Sequence, residues 1–233
     1  MTRGSFLFCC VLLAAAVCCG VTAYPFVFFG SSYVHKNLTL YTHEAFRENP
    51  DKFLAAIYDK ISSDDFYDEA QKFEVYLAGS RREYVLLAPF CAKEPSCAHP
   101  ISDKVFVAAA DPEKNLAYGP GAEGPGRALD RVIIHELVKT QIKNKLGFLD
   151  YAILSDWRKE GYAEHVAMET RELPPDAFCG GAPGTDPALP YLKNRLMVEM
   201  LAAEDSRSYP SLMTTNYSYE GARSRVERQY CHK

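Results

Sequence analysis

Apolar and polar positions alternate in Asn37-Leu38-Thr39-Leu40, inside a stretch from Ser31 to Tyr41 that also holds Tyr33 and Val34, so a strand is expected there. The period then lengthens. Phe53, Leu54, Ile57, Tyr58 and Ile61 recur at helical spacing, and Asn49-Pro50 suits an N-cap followed by proline in the first turn. Two short runs, Phe73 to Ala78 and Glu83 to Leu87, flank Gly79-Ser80-Arg81-Arg82 and read as a β-hairpin. Lys104 to Ala109 reads as a further strand. The first half is thus expected to be an α+β unit with a small, mostly antiparallel sheet.

Between Asp111 and Gly126 the pattern breaks. Gly119-Pro120-Gly121-Ala122-Glu123-Gly124-Pro125-Gly126 supports neither a helix nor a central strand and reads as a flexible connection. Three helices are expected after it. The first runs from about Arg127 to Lys145 and ends at Gly147, with apolar residues on more than one side, which predicts a buried central helix. The second starts after Ser155, a good N-cap, and continues to about Thr170. Leu173 to Pro190 reads as loop, and the third helix covers Tyr191 to Glu204. No internal repeat is visible.

The N-terminus changes the picture of compartment. Arg3 precedes an almost continuously apolar run from Phe6 to Val17, and Val21-Thr22-Ala23 offers small residues for cleavage before Tyr24. Residues 1–23 are therefore expected to be a signal peptide. The alternative is an uncleaved anchor from Phe6 to Phe29, long enough to span a bilayer. The remaining chain, 24–233, has the length of one domain with a real core. A secreted, periplasmic or membrane-tethered location follows, with any membrane contact made through the N-terminus. The sequons Asn37-Leu38-Thr39 and Asn216-Tyr217-Ser218 matter only in a host that glycosylates.

Charge and cysteine usage narrow the partners. The net charge is −4 before removal of the leader and about −5 after it, with no basic stripe, which argues against nucleic acid. Of eight cysteines, Cys9, Cys10, Cys18 and Cys19 lie in the leader. Cys91 and Cys97 bracket a short loop and are expected to pair, leaving Cys179 to tie Cys231 back. A four-thiolate metal site is the rival, but no Cys-x-x-Cys spacing occurs.

The chemistry concentrates in Ile134-His135-Glu136-Leu137-Val138-Lys139. In His-Glu-x-x-His, two imidazoles four apart on one helix face grip a zinc ion, and the glutamate takes a proton from the metal-bound water. Here the first histidine and the glutamate are present, and Lys139 holds the place of the second histidine. A second segment, Asp156-Trp157-Arg158-Lys159-Glu160-Gly161-Tyr162-Ala163-Glu164, follows on the next helix, with twenty residues between Lys139 and Glu160.

Together these two segments, the Leu146-Gly147 turn and a late helix over Tyr191 to Glu199 resemble the gluzincin (peptidase MA-like) zinc metallopeptidases of the bacterial secreted or membrane-tethered kind. The likeness is strong from Arg127 to Ala167 and weak elsewhere. It implies a zincin-like fold, with His135 as a metal ligand, Glu136 as the general base, Glu160 as the third ligand and zinc as the cofactor. Small residues at Gly161 and Ala163 would let two helices approach closely around the ion. A family tyrosine that steadies the oxyanion would have to come from among Tyr191, Tyr209, Tyr217 and Tyr219.

Lys139 breaks the implied ligand set. A protonated ammonium has three donors and no lone pair, and its free pKa is near 10.4. It cannot bind zinc in that form, but it can pair with Glu136 and Glu160 and supply the positive charge in the ion's stead. The expected function is a degenerate, non-hydrolysing relative that binds a peptide or protein. An active zinc peptidase with an atypical ligand and a surface-binding protein are the alternatives. His165 lies five residues beyond Glu160 and is expected to turn away from that face. Spacing recommends none of His35, His43, His99 and His232 as a ligand.

Overall fold

The computed structural model describes residues 20, 22–46, 49–118, 126–170, 172–179 and 188–231. Most of the leader expected over 1–23, with its cysteines, and residues 119–125 of the glycine-proline connection lie outside them. Among the described residues no helix is long and apolar enough to cross a membrane.

The protein is mixed α+β, and its main sheet has five strands in the order β1-β2-β3-β5-β4. These are β1 (Ser31–His35), β2 (Leu38–Thr42), β3 (Phe73–Leu77), β4 (Ser96–Ala98) and β5 (Lys104–Val107). The expected mostly antiparallel sheet is corrected here. β1 and β4 run antiparallel to their neighbours, whereas β2–β3 and β3–β5 are parallel. Helices intervene between the parallel partners and return the chain to the same end of the sheet. The strand expected from Ser31 to Tyr41 is in fact the β1–β2 hairpin. It turns at Lys36-Asn37, where Lys36 takes a left-handed φ of 55° and the Asn37 amide donates to Gln71 O at 2.8 Å.

The segment expected as the hairpin's second strand is a helix, α2 (Arg81–Leu87), which follows α1 (Pro50–Ser62) in the chain. Ser80 Oγ accepts from Glu83 N–H at 3.3 Å, and Glu83 Oε2 accepts from Gly79 N–H at 2.9 Å. This reciprocal capping sets the helix start, and Tyr84 and Leu87, three apart, are buried on one side. α2 covers one sheet face together with Tyr76 and Phe106, while Leu38, Leu40, Val75 and Val107 face the larger core.

That larger core is organised around α3 (Leu129–Leu146), which begins after a small second sheet of β6 (Ala110–Asp111), β7 (Leu116–Ala117) and β8 (Arg127–Ala128). α3 ends at Gly147, whose φ of 85° and absent Cβ suit a helix stop. The following helices are α4 (Phe148–Ile153), α5 (Asp156–Ala167), α6 (Leu189–Glu204), α7 (Tyr209–Thr214) and α8 (Tyr219–Tyr230). Asn49 caps α1 as expected, accepting from Asp51 N–H at 3.0 Å. Ser155 precedes α5 but spends its hydroxyl on Arg158 Nε at 2.8 Å instead of on a backbone amide. The Arg158 guanidinium in turn donates to Leu212, Met213 and Thr215 carbonyls at the end of α7, a favourable place for a cation.

Two disulfides are formed, Cys91–Cys97 and Cys179–Cys231, the pairs expected from the sequence.

Candidate functional site

α3 is buried on most of its circumference, so His135 and Glu136 are carried inside with Ile133, Ile134, Leu137 and Val138. α5 packs beside it and against α6. Gly161 decides how near α5 and α6 come: a Cβ at this position would meet Asn194 O at 2.3 Å and Val198 Cγ2 at 2.8 Å. The glycine is therefore required by the backbone of α6. The expected explanation, close approach around an ion, gives way to this packing constraint.

The structure brings His135, Glu136, Lys139 and Glu160 into one cluster. His135 Nε2 lies 2.8 Å from Glu160 Oε2. Lys139 Nζ lies 2.9 Å from Glu160 Oε1 and 3.3 Å from Glu136 Oε2. Glu136 is also tied to the edge strand β4, where Ser96 Oγ donates to its Oε1 at 2.9 Å and Ala98 N–H to its Oε2 at 2.8 Å. The Lys139 side chain is 18% exposed and that of Glu160 26%, against 3% for His135. The cluster thus grades from a sealed imidazole to a carboxylate that water can reach.

Glu164, in the same segment as Glu160, has no part in the ligand set that the sequence implies. It is fully buried, and its Oε1 accepts from Thr170 N–H at 2.7 Å and Thr170 Oγ1 at 2.9 Å. Its Oε2 stands 3.7 Å from His135 Nδ1, so the imidazole lies between two carboxylates from one helix. The signal was available, because Glu164 is four residues after Glu160 and falls on the same helix face.

Electrostatics follow from this arrangement. Burial alone would lower the His135 pKa, but Glu160 and Glu164 more than reverse that and raise it from 6.5 to about 9. Burial likewise opposes the Lys139 charge, and Glu136 with Glu160 outweighs it, holding the ammonium well above its usual value. Burial would raise the Glu160 pKa, yet Lys139 and His135 hold it far below the carboxylate range. Each charge is kept by the others.

Aromatic and cationic groups close the surroundings. Tyr191 packs edge-on to the His135 ring at 5.6 Å, and the Arg127 guanidinium sits 5.2 Å over the Tyr191 ring. Arg127 also pairs with Glu169, Nε donating to Oε1 at 3.0 Å and Nη2 to Oε2. Tyr151 of α4 feels Lys139, Glu136 and Glu160, and burial lifts its phenol to about 12. Of the four tyrosines named from sequence, Tyr191 is the one in contact with the cluster; Tyr209, Tyr217 and Tyr219 make their ring and hydroxyl contacts elsewhere.

His165 turns to Glu199, its Nδ1 lying 2.9 Å from Oε1. His135, Glu164 and Glu169 each bring one potential ligand atom within 4.8 Å of the others. Glu169 is spent on Arg127 and half of Glu164 on Thr170, which leaves the Glu164 oxygen beside His135 Nδ1.

No protein-family model matches this chain, and no curated protein matches it.

Proposed function

We propose that this chain is a secreted or membrane-tethered protein built on a gluzincin-type, zincin-like scaffold, in which Lys139 has taken over the charge of the catalytic zinc and binding of a peptide or protein has replaced hydrolysis. The observation that carries the reading is the Lys139 ammonium, within 3.3 Å of Glu136 and 2.9 Å of Glu160, the two carboxylates that the family motif would place around an ion. His135, with Nε2 2.8 Å from Glu160 and Nδ1 3.7 Å from the buried Glu164, supports the same ancestry.

The donor set argues against zinc at this point. A catalytic zinc takes three protein ligands and keeps one open position. Here one imidazole and one carboxylate face each other directly at 2.8 Å, and the third position holds a donor without a lone pair. Glu136 is held as well: each of its oxygens accepts one hydrogen bond from β4, and its Oε2 faces the Lys139 ammonium at 3.3 Å.

A binding role draws support from α4. Phe148, Leu149 and Ile153 are exposed on the helix whose Tyr151 senses the cluster, and Ile101 is exposed before β5. The two disulfides suit an oxidising compartment outside the cytoplasm.

Restoring the missing ligand tests the reading. Lys139→His is expected to take up about one zinc per chain through His135, the new imidazole and Glu160. A variant that binds no more metal than the parent would contradict the placement of the site.

A further inference from the structure

On the α2 side of the main sheet, residues 22–29 form a strap that makes one 3-10 turn over Pro25–Phe28. Lys104 of β5 donates to the Thr22 and Ala23 carbonyls at one end of it. At the other end Phe29 packs on the small core of that face, 5.3 Å from the Tyr76 ring, and stacks on His43 at 4.8 Å. His43 Nε2 in turn lies 2.7 Å from Glu83 Oε1 on α2. Strap and helix thus lie on one face of the sheet.

Both parts of this layer turn apolar groups outward. Tyr24, Phe26, Val27 and Phe28 are exposed on the strap, and Val85, Leu86 and Phe90 on α2 and the turn after it. Tyr84 and Leu87 fill the core beneath, which leaves Val85 and Leu86 on the opposite side of the helix. Apolar groups gathered on one side of a fold mark an interaction surface. Arg82 and Lys93 are exposed among them against one exposed acid, Glu94, since Glu83 is held by His43. The fringe is therefore basic in a chain of net charge −4. The sequence ahead of the strap points to lipid as the partner. No Asp, Glu, Lys or Arg occurs between Arg3 and Lys36, and residues 6–17 are almost continuously apolar. Such a run favours lipid over water, and the strap joins it directly to the folded body.

We propose that this layer docks on a phospholipid bilayer, with residues 6–17 seated in the lipid beside it and Tyr24, Phe26, Val27, Phe28, Leu86 and Phe90 at the interface. Aromatic and leucine side chains suit that depth, and the Arg82 and Lys93 fringe suits anionic head groups. The surface is separate from α4, which packs on α3 and carries the apolar face that supports a peptide or protein partner.

The test places the full chain in nanodiscs of phosphatidylcholine and phosphatidylglycerol and reads backbone amide intensities with and without a lipid spin-labelled near its head group. The label is expected to remove most of the intensity at residues 24–28 and 82–90. It is expected to spare α4, although Phe148, Leu149 and Ile153 are exposed there too. Val85→Glu combined with Leu86→Glu changes only exposed side chains and is expected to return most of the intensity lost at 82–90. The proposal is overturned if the label spares 82–90, if it attenuates α4 as strongly, or if the double variant is attenuated as much as the parent. It is also overturned if amides at 82–90 shift between discs holding one and two copies of the chain, which would seat a second copy on the face. Only one of these results needs a variant, and none of them involves Lys139 or its partners.

Discussion

The Lys139 ammonium stands 2.9 Å from Glu160 Oε1 and joins α3 to α5 at the point where the His135 imidazole also meets Glu160, 2.8 Å from its other oxygen. One carboxylate thus receives two cations from one helix. Since Glu136 faces the same ammonium, removal of the lysine leaves two carboxylates facing each other with one positive partner, His135, in place of two.

Lys139→Met is therefore expected to destabilise the fold. Breaking a buried pair by deleting one partner costs about 3–5 kcal/mol, and the residual exposure of Lys139 puts the expected loss toward the lower end. Urea unfolding of parent and variant measures it. The double variant Lys139→Met with Glu160→Gln should recover part of the loss, because one of the two carboxylates that lost the ammonium is then neutral.

The protonation of His135 makes stability depend on pH. Its pKa is raised in the folded state, from 6.5 to about 9, so its contribution is complete below pH 6.5 and fades as pH climbs toward 9. Unfolding free energy should fall across that window in the parent. His135→Gln should flatten the profile there, and an equal slope in both proteins would count against a charged His135.

Gly161→Ala should be destabilising although alanine is the better helix former. Its Cβ would meet the Asn194 carbonyl, which belongs to backbone and cannot swing aside, so a loss of about 1–3 kcal/mol is expected. Thermal unfolding of the two proteins decides it.

The helices of the site were legible in the sequence because His135, Glu136 and Lys139 sit in an apolar run, and Glu160 falls one helix later. Glu164 was less visible, since the motif singles out only Glu160 on that helix, and burial on α5 is shared between the side that faces α3 and the side that Gly161 lays on α6. The parallel pairing of β2, β3 and β5 depends on partners far apart in the chain, which no local period encodes. The α2 segment misled for a different reason. Val85, Leu86 and Leu87 have strand-like composition, yet Ser80 and Glu83 were already spaced as a capping pair.

The disulfides should differ in weight. By chain entropy, the Cys179–Cys231 bridge, 52 residues apart, contributes about 4 kcal/mol and Cys91–Cys97, 6 apart, about 2 kcal/mol. Pairwise Cys→Ser variants unfolded in urea give the comparison. The shorter bridge has a local effect as well, because Cys97 lies between Ser96 and Ala98, the two residues that hold Glu136.

Zinc content of the purified parent chain, measured after equilibration with zinc and alongside a peptide-cleavage assay, bears most directly on the role of Lys139. Substitution of the ion by the ammonium predicts well under one zinc per chain and no cleavage that a chelator abolishes. One tightly held zinc per chain with chelator-sensitive cleavage would contradict it.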